Sequence, residues 1–131
     1  METEPNQPMD EIIRKDGRYS PEAFSFLHEG LSRTVELVYG EGSRPVGESH
    51  VSGQDLCRGL ATLARERWGL LAKTVLTRWN IRESIDFGNM VYLLIDAGFM
   101  HKNDEDSIED FRDVFTFDEA FDKGGEFELK Q

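Results

Sequence analysis

The sequence predicts a mainly helical domain: a winged-helix-like second half with one small β-hairpin, preceded by an extra N-terminal helical pair. Three observations predict it. Several stretches carry apolar residues at helical spacing behind capping residues. Glycine or asparagine punctuates their ends. A short run, Phe111 to Phe117, alternates as a half-buried strand does. At 131 residues the chain suits one domain with a real core, here residues 9–122, of which 50–117 form the winged-helix-like part. Residues 1–8 and the acidic stretch 123–131 are expected as disordered tails.

The elements follow in order. Asp10 is placed to cap a short helix through Ile12 and Ile13, stopped by Gly17. Ser20 suits the next N-cap and Pro21 the first helical position, where a missing N–H costs nothing. Phe24, Leu27, Leu31, Val35 and Val38 then keep helical spacing up to Gly40. Three glycines and a proline between Gly40 and Ser49 predict a loop. Ser52 caps a helix whose stripe is Leu56, Leu60, Leu63 and Ala64, widened by Cys57, Ala61 and Trp68. Gly69 breaks it. Leu71, Val75, Leu76 and Trp79 mark another helix, ended by Asn80, which tolerates the left-handed conformation. Both tryptophans are expected in the core. Ser84 is expected to cap the helix of Phe87, Val91, Leu94 and Ile95, closed by Gly98. Phe99–Met100 and Phe111–Phe117 would pair as the hairpin around an acidic turn, and Asp118 would cap a last helical turn through Phe121.

Charge narrows the function. The formal net charge is −11, unevenly placed. Residues 1–49 hold ten acids and five bases, residues 50–81 two acids and five bases, and residues 103–131 eleven acids and three bases. Most of this surface repels nucleic acid and attracts a basic partner. The helix from Ser84 would be the one to enter a DNA groove in a winged helix-turn-helix. It carries Asp86 and Asp96 and has no Lys or Arg between Arg82 and Lys102. No apolar run approaches the length of a membrane span, and the N-terminus lacks the basic start and apolar stretch of a secretory signal, so a cytoplasmic location is expected. The lone Cys57 leaves no internal disulfide and reads as core filler.

Five short motifs stand out: Asp16-Gly17-Arg18-Tyr19, His50-Val51-Ser52-Gly53-Gln54, Asp86-Phe87-Gly88, Ala97-Gly98 and Asp118-Glu119-Ala120-Phe121. Together they resemble a family of small acidic bacterial proteins of unknown function, known chiefly by a locus tag. The resemblance runs from about Asp10 to Phe121. It implies kinship only, because that family brings no activity, cofactor or catalytic residue to carry over.

Each candidate chemistry has a plainer competitor. His50, Ser52 and Gly53 at a helix start offer N–H groups to an anion, or form an ordinary cap. Asp104, Asp106 and Asp110 are spaced near a calcium loop but lack its third ligand and glycine; a solvated loop explains them. His28, His50 and His101 are scattered, so no metal or other cofactor is expected. Arg58, Arg65, Arg67, Lys73 and Arg78, interleaved with Trp68 and Trp79, invite a nucleic-acid reading; a solvated face over a core stripe explains them better. The leading expectation is a non-catalytic protein-interaction module, its partner another protein with a basic patch. The contact would be Asp86, Asn89, Tyr92, Leu93 and Asp96 with Asp104, Asp106 and Asp110: an apolar anchor among carboxylates. The alternative is a DNA- or RNA-binding regulator using residues 58–78, and a distant third an enzyme or small-ligand binder at the His50–Ser52 turn.

Overall fold

A computed structural model describes residues 8–40, 42 and 50–121; the tails expected at 1–8 and 123–131 lie outside it except for Pro8. Among the described residues six α-helices follow one another: α1 Met9–Asp16, α2 Pro21–Tyr39, α3 Gly53–Trp68, α4 Ala72–Arg78, α5 Ser84–Asp96 and α6 Phe117–Phe121. Short 3₁₀ turns at Gly69–Leu71 and Ile108–Phe111 join them. The mainly helical expectation is met.

Local chemistry sets most boundaries. Ser20 Oγ accepts from the Ala23 N–H at 3.3 Å, with Pro21 as the first helical residue. Ser52 Oγ accepts from the Asp55 N–H at 3.0 Å. Gly17 and Asn80 take the left-handed conformation, with φ of 74° and 70°. Three caps differ from expectation. Pro8, not Asp10, precedes α1. Glu83, not Ser84, precedes α5. Before α6, Thr116 Oγ1 accepts from the Glu119 N–H while Glu119 accepts from the Thr116 N–H. The displaced residues have other roles: Ser84 is buried, and Asp118 pairs with Lys73.

α2 and α3 lie antiparallel, as the pairs Glu29–Arg67, Arg33–Glu66 and Tyr39–His50 show. Their axes come close because Gly30 meets Leu60 and Gly59 meets Thr34. Leu27, Leu60, Leu63, Leu76, Ile81, Phe87, Met90 and Phe121 are almost wholly buried in one core that extends from Ile13 to Phe121.

The β-hairpin is absent: among the described residues there is no strand. The reason lies in where the backbone donors of this stretch go. Side chains accept from them locally: Asp106 from Asn103, Asp110 from Ser107, Ser107 from Glu109, Glu119 from Thr116. Such Asx- and Ser-type turns compete with a ladder for the same N–H groups. The alternating phenylalanines of 111–117 drop into the core from successive turns instead of from a pleat. Without strands the described residues form no wing; the order α3–α4–α5 is what the expectation shares with the structure.

Candidate functional site

The expected contact face of α5 divides into two differently used parts. At its start, half-buried Asp86 is tied to the neighbouring elements by hydrogen bonds. Its Oδ2 accepts from the Arg82 and Glu83 N–H groups at 2.8 and 3.0 Å, and its Oδ1 accepts from the Tyr19 hydroxyl at 2.6 Å. Asn89 Nδ2 donates to the same hydroxyl at 3.0 Å. Tyr19 is buried, and its phenol is pushed up to about 12, first by that burial and then by its bond to the Asp86 carboxylate. The Arg18 guanidinium stacks over the Tyr19 ring and bonds Asp16, while Asn80 Nδ2 donates to the Arg18 carbonyl at 2.9 Å. The Asp16-Gly17-Arg18-Tyr19 motif is therefore a clasp that fastens the α1–α2 corner to the α4–α5 corner.

Further along α5 the side chains meet the acidic loop. Tyr92 and Leu93 are half-buried against the core, and Asp96 is exposed. The Tyr92 hydroxyl is buried without a hydrogen-bond partner among the described residues. Its pKa is raised first by burial and then by the nearby carboxylates of Asp106, Asp110 and Asp96. Of the expected acids, Asp104 is exposed. Asp106 lies 2.6 Å from His50 Nε2, and Asp110 closes the turn at Ser107. The structure thus gathers Tyr92, Asp96, Asp106 and Asp110, and places Asp86 and Asn89 in the clasp.

The other candidate sites are filled by protein. Gly53, part of the anion-binding alternative at the His50–Ser52 turn, sits against Phe111 and Asp110; an added Cβ would lie 2.8 Å from the Phe111 ring. The same phenylalanine covers Gly88 on α5, and Ser84 Oγ donates to its carbonyl at 2.6 Å while accepting from the Val114 N–H. Among the described residues no three His, Cys, Asp or Glu side chains are placed to hold a metal. Cys57 is fully buried, and burial pushes its thiol up to about 12, which leaves it protonated and inert. No helix among the described residues is long and apolar enough to cross a membrane.

Three bases of the stretch face carboxylates. Arg67 bonds Glu29 with two nitrogens and holds that carboxyl below its usual range; Lys73 pairs with Asp118, and Arg58 lies 3.6 Å from Asp55. Trp68, Trp79 and Phe26 form an aromatic triad with centroids 5.2 to 5.9 Å apart. Both tryptophans are only half-buried, which corrects the expectation that they lie in the core. Beside them Leu70 and Leu71 stand in solvent, 66% and 64% exposed.

Sequence periodicity missed this pair, because Leu71 reads as the start of the next apolar stripe. A signal was present. Gly69, with φ of 56°, ends α3, and two consecutive leucines on so tight a turn cannot both face one core. Leu37, Val38 and Tyr39 are also exposed, at the end of α2 beside His50. Compared with protein-family models, curated proteins and solved structures, the chain gives no match.

Proposed function

We propose that this protein is a non-catalytic protein-interaction module whose main contact is the turn at Trp68–Leu71. The observation that carries the reading is the adjacent pair of exposed leucines beside half-buried tryptophans. Each exposed leucine forgoes roughly 25 cal/mol for every Å² of apolar surface it leaves in water, a cost a partner would remove. Tryptophan at the edge of such a patch is the residue type that anchors protein contacts.

A second surface is supported by the acids around Tyr92. Asp96 and Asp104 are exposed there, and the carboxylates of Asp96, Asp106 and Asp110 act on one buried phenol. This side would steer a basic protein patch by its field, and Leu93 and Tyr92 would supply what apolar contact it has. Nucleic acid is the weaker reading for residues 58–78, since Arg58, Arg67 and Lys73 already face carboxylates of this chain. The order α3–α4–α5 is the part of a winged helix-turn-helix that supports that alternative; fold likeness alone assigns no activity.

The test is a photo-crosslinking residue placed at Leu71 in the intact protein within cells, with exposed Ser25 on α2 as control position. A discrete protein adduct from position 71 and none from position 25 is expected. Equal patterns from both positions would reject the turn as the contact.

A further inference from the structure

Resting on this interaction reading, we infer that the occupant of the Leu70–Leu71 turn is an acidic amphipathic segment of another protein. The 3₁₀ turn runs directly into α4, so residues four apart fall on one side. Leu71, Val75 and Trp79 make an apolar stripe, exposed at its first residue and half-buried at the next two. Leu70, Thr74 and Arg78 make the neighbouring row, all exposed. From Gly69 to Arg82 the chain has three bases, Lys73, Arg78 and Arg82, and no acid, within a protein of net charge −11.

An apolar stripe with a basic margin complements a helix that carries leucine-like residues on one side and carboxylates beside them. Lys73 is already paired with Asp118 on α6, so exposed Arg78 and Arg82 are the bases this margin offers to a carboxylate. Larger polyanions fit less well. At physiological salt, fields are screened within about 8 Å, so a short segment feels mainly the local bases. A duplex or an anionic bilayer extends onto the acidic remainder of the surface and is repelled there.

The experiment is an NMR titration of the full ¹⁵N-labelled chain. Two short synthetic amphipathic peptides are compared, identical in leucine placement, one with glutamates and the other with lysines on the polar side. Expected are shifts at the amides of Gly69 to Trp79 with the glutamate peptide, binding about tenfold weaker for the lysine peptide, and loss of the shifts in Leu71→Ser. Arg78→Glu should narrow or invert the preference. Equal or tighter binding of the lysine peptide, shifts centred on α5, or no shift at millimolar peptide would overturn the inference. So would shifts at these amides with phosphatidylglycerol vesicles or duplex DNA and none with the glutamate peptide. Phe127→Ser with Leu129→Ser in the full chain covers a further outcome. The segment Glu126-Phe127-Glu128-Leu129 has the same chemistry, and shifts at Gly69 to Trp79 in that variant without peptide would make the occupant the chain's own, against the inference. A protein crosslink at position 71 without any glutamate preference would leave the interaction reading standing and reject only the partner's chemistry; absence of both would reject both.

Discussion

The α4–α5 corner and the α3–α4 turn use their side chains in opposite ways. At the α4–α5 corner, polar residues are drawn inward: Asp86 accepts four hydrogen bonds, Ser84 joins two backbone groups, and Phe111 fills the space left by two glycines. At the α3–α4 turn, apolar residues are left outward: Leu70 and Leu71 in water, Trp68 and Trp79 half covered. A buried polar group with its partners belongs to the architecture, and the exposed apolar pair is the feature on which the proposed contact rests. The contrast is why the proposed contact lies at the leucines of the turn and not at the carboxylate of Asp86.

The comparison breaks most visibly if the packed corner proves soft. Phe111→Ala should cost about 3–5 kcal/mol, because the ring is buried between α3 and α5 and its loss leaves a cavity. Urea denaturation followed by circular dichroism measures it, and a cost near zero would mean the plug is not part of the fold. Gly88→Ala comes next, at about 1–3 kcal/mol. The new Cβ would lie 2.8 Å from the Phe111 Cβ, which cannot swing away as a side-chain tip can.

The clasp should show itself in alkali. The folded phenol of Tyr19 titrates near 12 against 10.0 for an ordinary tyrosine, so the protonated form is the one folding favours. Its contribution is complete below about pH 10 and fades as pH rises through about 12. Stability of the wild type should fall over that window, and Tyr19→Phe should flatten the fall. Parallel curves would show that the Tyr19–Asp86 bond does not stabilise the corner. The smallest effect belongs to the turn. Leu71→Ser should change stability by no more than about 0.5 kcal/mol, as at other exposed sites. A loss of several kcal/mol would place Leu71 in the core and remove the contrast.

Much of the fold is legible in the chain because it is local. Ser20-Pro21, Ser52, Gly17 and Asn80 fix helix ends through their own backbone or hydroxyl chemistry, and the stripe of Leu56, Leu60 and Leu63 needs only a period of 3.6 to be recognised. What the sequence left open depends on partners distant along the chain. Asp86 reads as an outward carboxylate until Tyr19, sixty-seven residues earlier, donates to it. Phe111 reads as strand until its neighbours' N–H groups are taken by side chains and its ring meets Gly53 and Gly88. Leu71 reads as core until the turn at Gly69 rotates it away. Periodicity states which residues share a face. Whether a face meets protein or water is decided by the packing of the other helices, because burial is a property of the whole assembly and not of any segment alone.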